Sequence, residues 1–308
     1  MPTKKADTGH LADTGAGFVS VLIWSASIAF GRSLSRQVGS LTAISLINLV
    51  GGGVGLTWQV LRGHHKNRNW RFPPAYLLGC GSLYVIYQAS LYVALGLART
   101  GSQVLEVGLL NYLWPMLTLL FSVWLFQMRF HFWLIPGALI AVAGVILATS
   151  QNQVLSWASF AGNFQQNAAP YLLGLSAAVS WALYSTLSRK WAGDLPGNAV
   201  PAFMLAAAVV LGLTRLLILD EDTVWTQRAL LEFAFLAVGS NIAYVLWERA
   251  VRRGDIILVA AISYFTPLFS TLTSTFYLRI QPDARLWAGC VMVIGGALLC
   301  KLAVPEGG

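Results

Sequence analysis

Nine stretches of the chain contain no charged residue, and each is a candidate to cross a lipid bilayer as a helix. They cover residues 14–31, 37–61, 72–98, 107–128, 130–188, 195–214, 233–247, 256–278 and 286–300. A spanning helix needs about 20 mostly apolar residues. Of the 308 residues, 56% are hydrophobic and only 10% are charged, which excludes a soluble globular enzyme and a disordered chain. We therefore expect an all-α integral membrane protein.

The longest uncharged run, residues 130–188, is too long for one spanning helix. Its middle, residues 151–168, is rich in Gln and Asn, side chains that have no reason to face lipid. This segment predicts a polar loop between two spans, so that the expected number of transmembrane helices is ten. The remaining loops are too short to hold a soluble domain.

Basic residues are distributed unevenly between the two sets of loops. One set contains Lys4, Lys5, Arg62, Lys66, Arg68, Arg71, Arg129, Arg189, Lys190, Arg249, Arg252, Arg253 and Lys301. The other set contains Arg36, Arg99, Arg215, Arg228, Arg279 and Arg285, and Arg32 lies just inside the first span. Because loops rich in Lys and Arg stay in the cytoplasm, both termini are predicted to be cytoplasmic. The basic segment at 62–71 is interpreted as an orientation signal, and no nucleic-acid partner is expected.

The second half of the chain repeats the first at an offset of 152 or 153 residues. The segment SIAFGRSLSR at 27–36 aligns with SWALYSTLSR at 180–189. Each half, residues 16–150 and residues 169–303, would hold five helices, so the second half enters the membrane from the opposite side. Inverted repeats are typical of alternating-access transporters, which hold a substrate near the membrane midplane. We expect ten transmembrane helices in two inverted five-helix repeats around a central cavity.

A family resemblance rests on the same features. The two repeats, Trp24, the run SWALYSTLSRK at 180–190 and the matched residues Pro115 and Pro267 resemble the EamA type of the drug/metabolite transporter superfamily. Within it, residues 16–303 resemble the aromatic amino-acid exporters of bacterial inner membranes. The resemblance implies a multi-pass inner-membrane protein that exports amino acids, aromatic ones prominently. The choice of substrate follows from the resemblance alone.

Polar and aromatic residues inside the spans are candidates to line the cavity, because polar groups in the mid-bilayer usually face the bundle interior. In the third predicted span, Tyr84, Gln88 and Tyr92 share one helical face. The eighth span offers Ser240, Asn241, Tyr244 and Trp247, of which Ser240, Tyr244 and Trp247 share one stripe. The two stripes are predicted to face each other, and Gln88 and Asn241 are favoured over any single aromatic residue. Further candidates are Trp24, Asn48, Asn111, Tyr112, Trp181, Tyr184, Ser263 and Tyr264.

Pro115 and Pro267 lie mid-span at matched positions of the two repeats. Each lacks an amide proton and crowds the carbonyl four residues earlier, that of Asn111 or Ser263. These sites are predicted to form a hinge or a wall of the cavity, with a simple packing kink as the alternative.

Ionisable groups are scarce within the spans. Only Glu106, near the outer side of the fourth span, comes close to a depth suitable for ion coupling, and Arg32 could neutralise it. We expect an uncoupled uniporter or facilitator for net-neutral amino acids. The alternative is an exporter of drugs or lipophilic cations, bound by aromatic faces and proton-coupled through Glu106.

The remaining residue types indicate neither an enzyme nor a cofactor. Cys80, Cys290 and Cys300 lie in spans without CxxC spacing or histidine partners, so neither a metal site nor a disulfide is expected. Glycine pairs seven residues apart predict close helix packing, either within the bundle or at a homodimer interface; they are Gly137 with Gly144 and Gly289 with Gly296. Besides the substrate, membrane lipid is the expected partner.

Overall fold

A computed structural model describes residues 4–62, 72–149, 157–217, 221–278 and 284–304. Throughout these residues the ordered elements are helices, as expected of an all-α protein. They are α1 (Lys4–Val38), α2 (Ser40–Leu61), a π-helical turn (Ala75–Cys80) that continues into α3 (Gly81–Leu97), α4 (Gly101–Asn111), α5 (Trp114–Leu125), α6 (Leu134–Thr149), α7 (Trp157–Gln166), α8 (Ala169–Ala192), α9 (Val200–Leu217), α10 (Gln227–Arg253), α11 (Ile256–Ser263), α12 (Thr266–Leu278) and α13 (Ala284–Ala303). Most of the basic segment at 62–71, and Arg279, lie outside the described residues.

Seven helical segments in the described ranges are long and apolar enough to cross a membrane. They are Gly9–Val38, Ser40–Leu61, Ala75–Leu97, Gly101–Leu125, Val200–Leu217, Gln227–Arg253 and Ala284–Ala303. Two shorter apolar segments, Leu134–Ala148 and Ile256–Ser270, accompany them. Helix α8 has the length of a span, 24 residues, but many of its residues are small or polar. The chain is therefore a multi-pass membrane protein.

The predicted loop at 151–168 is wrong for residues 157–166, which form α7, while residues 151–156 lie outside the described part of the chain. Phe160 and Phe164 of α7 both contact the ring of Tyr171, at centroid distances of 5.2 and 5.6 Å. Gln165 and Gln166 are exposed. The segment is thus an amphipathic helix, whose apolar face is obscured in the sequence by its many amide side chains.

The long helices pack in pairs that join the two halves of the chain. Helix α1 packs on α10, α3 on α8, α2 on α9 and α6 on α13. The broken pair α4 and α5 packs on α8, and α11 and α12 pack on α1. Each of these contacts joins a helix of the first half to a helix of the second half. The two halves therefore build one common core.

Glycines bring the backbones of α6 and α13 into direct contact. A methyl group added at Gly144 would lie 2.8 Å from the carbonyl oxygen of Gly289, and one added at Gly296 would lie 2.5 Å from the carbonyl oxygen of Gly137. The glycine faces predicted from sequence therefore form a seam within one chain. They give no support to a homodimer.

Asp255 fixes the turn between α10 and α11. Its carboxylate accepts hydrogen bonds from the backbone N–H groups of Ile257 and Leu258 at 3.1 and 3.0 Å and contacts Nζ of Lys301 at 2.6 Å. Burial alone would raise the pKa of Asp255, but the bonds from Lys301 and from the two N–H groups outweigh it, so that the pKa lies below its ordinary value. The ionised carboxylate caps α11 and ties it to the end of α13.

Two neighbouring glycines of α13 provide a test of the seam. Gly296→Ala places a methyl group against the backbone of α6, so we expect it to lower stability by about 1–3 kcal/mol, the usual cost of overpacking. Gly295→Ala meets nothing within 4 Å and should leave stability unchanged or slightly raised. Thermal unfolding of the purified variants in detergent measures both, and equal melting temperatures would contradict the seam.

Candidate functional site

A cavity of about 900 Å³ lies between α1, α2, α3, α4, α5, α8, α10 and α12. It extends to the end of the bundle where α1 ends and α2 begins, since Arg36, Ser40 and Gly101 contribute to its wall. Its deep end is formed by Trp24, Trp181 and other aromatic residues. The cavity is thus a pocket with one polar mouth and one aromatic floor.

Four aromatic residues form this floor, which we call the aromatic box: Trp24, Trp114, Trp181 and Tyr244. The ring of Trp24 lies 5.7 Å from Trp181 and 5.4 Å from Tyr244, both edge-on. Trp114 meets Trp181 edge-on at 6.3 Å. These separations fall in the favourable range for aromatic pairs, so the box presents fixed ring faces and edges to the cavity.

A chain of hydrogen bonds across three helices holds Tyr244 in place. Gln88 of α3 donates from Nε2 to the hydroxyl groups of Tyr84 and Tyr244, each at 3.1 Å. Tyr84 donates to Oδ1 of Asn48 on α2 at 3.3 Å. Gln88 and Tyr84 are fully buried, so their role in the structure is to position Tyr244 from behind the wall.

Two polar atoms in cavity-lining residues have no hydrogen-bond partner among the described residues. They are Nε1 of Trp24, a donor, and Oδ1 of Asn111, an acceptor, and both atoms are buried. An unpaired buried polar atom costs roughly 1–3 kcal/mol. Both atoms lie just behind the cavity wall, so a ligand that supplied one acceptor and one donor would recover that cost once the two side chains turned toward it.

Both mid-span prolines coincide with a break in a helix. Helix α4 ends at Asn111 and α5 begins at Trp114, with Pro115 as its second residue. Helix α11 ends at Ser263 and α12 begins at Thr266, with Pro267 as its second residue. A missing amide proton at each proline explains why the α-helical ladder stops at both places.

The structure divides the residues predicted to line the cavity into two groups. Six of them contribute to its wall: Trp24, Tyr92, Asn111, Tyr112, Trp181 and Tyr244. Seven lie outside that wall: Asn48, Tyr84, Gln88, Tyr184, Asn241, Ser263 and Tyr264. Asn241, one of the favoured candidates, contacts the sulfur of Met204 at 3.5 Å and packs beside Gly55.

The cavity wall also contains residues that are not predicted from the sequence. Trp114 and Thr266 belong to the wall, and so do the two arginines Arg32 and Arg36. A cavity almost free of ionisable groups was expected, and the two guanidinium groups correct that expectation. Their spacing could have revealed them, because positions 24, 28, 32 and 36 recur on one face of a helix.

Glu106 does not pair with Arg32. Its carboxylate accepts hydrogen bonds from the hydroxyl of Tyr171 and from Nδ2 of Asn163 at 3.1 and 3.3 Å. It is buried and does not contribute to the cavity wall. Its contacts therefore tie α4 to α7 and α8.

A second buried carboxylate, that of Glu248, lies beyond the floor of the cavity. It accepts hydrogen bonds from the hydroxyls of Tyr76 at 2.6 Å and Tyr184 at 2.5 Å and lies 3.7 Å from the guanidinium of Arg252. Arg252 in turn donates to backbone carbonyls between Ala192 and Gly197, at 2.6 to 3.2 Å. This network, the Glu248 cluster, binds the π-helical turn that precedes α3 to α8 and α10 and closes that end of the bundle.

The fold and the cavity define a helical membrane protein built to hold a small molecule inside the bundle. The model of the EamA-like transporter family matches residues 14–150 and again residues 168–301. The chain therefore belongs to this family, and it is a transporter, not an enzyme.

Curated relatives cover nearly the whole chain. It is 31% identical over 287 residues to the aromatic amino acid exporter YddG of Salmonella typhimurium, covering 93% of this chain and 96% of the relative. It is 32% identical over 291 residues to YddG of Ancylobacter novellus, with coverage of 93% and 96%. A solved crystal structure at 28% identity superposes with a TM-score of 0.79, covering 94% of this chain and 98% of the other.

The Glu248 cluster predicts that substitutions at two neighbouring residues of α10 will differ greatly in how much they lower stability. Glu248→Ala removes a fully buried carboxylate and leaves the charge of Arg252 without a counter-charge, a change that costs about 3–5 kcal/mol. Arg249→Gln removes an ion pair to Asp13 whose arginine is 52% exposed, a change worth about 0–1 kcal/mol. Unfolding in detergent should show a much lower midpoint for the first variant only, and equal midpoints would refute the cluster.

Proposed function

We propose that the protein exports amino acids, aromatic ones among them, across the bacterial inner membrane. The observation that carries the proposal is the aromatic box at the floor of a cavity of about 900 Å³, a size suited to one small ligand. The printed function of the relatives at about 30% identity supports the same substrate class. The exposed apolar side chains around the bundle, such as Leu172, Leu216 and Val291, would contact lipid.

The proposal includes ten transmembrane helices in two inverted repeats, residues 16–150 and residues 169–303. In the two repeats α1 corresponds to α8, α2 to α9, α3 to α10 and α6 to α13. If each helix is replaced by its counterpart, the α1–α10 contact becomes the α8–α3 contact, and the α2–α9 and α6–α13 contacts stay the same. All four of these contacts are present. The family model also matches once in each half. A helix packing that survives this exchange is what an inverted repeat requires.

In the proposed mechanism the cavity opens alternately to the two sides of the membrane. With both termini in the cytoplasm, the mouth at Arg36 and Ser40 faces the outside, and the Glu248 cluster closes the cytoplasmic side. Opening that side requires α8 and the π-helical turn that precedes α3 to separate from α10 at Glu248. The breaks at Pro115 and Pro267 would act as hinges, because a helix interrupted at a proline bends there at least cost.

We further propose that the protein is an uncoupled uniporter or facilitator. Glu106 lies outside the cavity wall and is enclosed by Tyr171 and Asn163, which disfavours its use as a proton carrier next to the substrate. The two guanidinium groups in the wall also disfavour lipophilic cations as substrates, because like charges repel in a site of low dielectric constant.

Purified protein in liposomes tests the proposal directly. Liposomes loaded with labelled phenylalanine, tryptophan or threonine should release label faster than protein-free liposomes, with the pH equal on both sides. Absence of flux for every amino acid would refute the substrate class. Flux that appears only with a pH gradient would refute uncoupled transport while leaving the substrate class standing.

A variant of the cavity wall links transport to the site. Tyr92 lines the cavity and is only partly buried, so Tyr92→Ala should fold and yet lose ring contacts with the substrate. We expect kcat/KM for phenylalanine efflux to fall about tenfold, equivalent to about 1.4 kcal/mol. Trp124→Ala, which removes a ring that is 75% exposed on the outside of α5, is the matched control and should transport like the wild type. A Tyr92→Ala rate equal to that of the control would argue against this cavity as the path.

A further inference from the structure

The cavity wall carries positive charge and no negative charge among the described residues. Arg32 and Arg36 of α1 line it, and no Asp or Glu does. Two like charges on the wall of a cavity set into low-dielectric protein create a potential that attracts anionic groups. The wall is therefore selective for a ligand that presents a carboxylate or another anion.

Neither guanidinium is engaged by another described residue. Arg249 contacts the carboxylate of Asp13, and Arg252 that of Glu248, whereas Arg32 and Arg36 make no hydrogen bond or ion pair with any described residue. The carboxylate of Glu106 in α4 is occupied by Tyr171 and Asn163. As far as the chain is described, the planar donor groups of both arginines are therefore open to two-pronged binding of a carboxylate.

Arg32 is the arginine nearer the aromatic box. It lies on the same face of α1 as Trp24, two turns away, which is about 12 Å along the helix axis. Side chains of a helix lean toward its N-terminus, so the side chain of Arg32 leans from its Cα back toward Trp24. Trp24 and Arg32 both line the cavity, and Arg36 lies a further turn toward the mouth.

The other unpaired groups complete a site for a zwitterion. Oδ1 of Asn111 is a buried acceptor that has no partner among the described residues. Asn111 belongs to the same wall, so a small rotation of its side chain would let Oδ1 accept a hydrogen bond from an ammonium group. Nε1 of Trp24 offers a donor at the floor. The aromatic box takes the apolar side chain, which leaves the carboxylate of the ligand to Arg32.

We propose that Arg32 binds the α-carboxylate of the transported amino acid and thereby selects amino acids over amines and amides of the same side chain. This inference rests on the proposed function and makes it more specific. It assigns substrate selection to a residue of the wall, distinct from the buried residues that hold the wall together.

Competition against labelled phenylalanine in proteoliposomes tests the assignment. In the wild type, unlabelled phenylalanine should compete at least tenfold better than phenylalaninamide or phenethylamine, which lack the carboxylate. Arg32→Gln should lower kcat/KM for phenylalanine at least tenfold, and phenylalanine should then compete no better than its amide. A structural defect alone would lower flux without removing the preference for the carboxylate.

Arg99→Gln is the matched control, because Arg99 is exposed at the same end of the bundle but does not line the cavity. It should keep both the rate within about twofold and the full preference for phenylalanine over the amide. An Arg32→Gln protein that transports phenylalanine and still prefers it tenfold over the amide would overturn the assignment and leave the proposed function intact. A wild-type protein that transports no amino acid would instead overturn the proposed function itself.

Discussion

A polar group inside a lipid bilayer must find its partner within the protein, because the hydrocarbon offers none. This constraint accounts for most of the polar residues buried in the bundle. The carboxylate of Glu248 is satisfied by two tyrosine hydroxyls and Arg252, and that of Glu106 by Tyr171 and Asn163. The polar groups that remain unsatisfied then become informative. Two of them, on Trp24 and Asn111, belong to residues of the cavity wall, directly beside the space that a ligand would occupy.

The sequence predicts the helical class and the place of both proline breaks, because these depend on local rules. Long uncharged runs specify membrane helices, and a proline stops the α-helical ladder wherever it occurs in the middle of a span. The glycine faces of α6 and α13 were also predictable from spacing. Whether they joined helices of one chain or of two depended on the tertiary fold, and the contact of Gly144 with Gly289 answers that question.

The cavity itself was only partly predictable. Helical spacing shows which residues share one face of a helix, but it does not show whether that face borders a cavity or packs against another helix. Gln88 and Tyr244 were assigned to facing stripes, and they do meet through a hydrogen bond, yet only Tyr244 reaches the cavity. Asn241 is on the same helix as Tyr244 but packs on Met204. The sequence suggests Arg32 as a counter-charge for Glu106, and only the fold reveals that Glu106 has other partners and that Arg32 borders the cavity.

The seam between α6 and α13 limits how this bundle can change shape. Where two backbones touch through glycine, there is no layer of side chains that could repack to absorb a sliding motion, and even a single added methyl group would collide with a carbonyl oxygen. The two helices are therefore locked into one mechanical unit that takes one member from each half of the chain. Helix α6 also contributes Ala148 to the cavity wall. Any rearrangement that opens the closed end of the cavity would therefore move the other wall helices relative to this rigid pair.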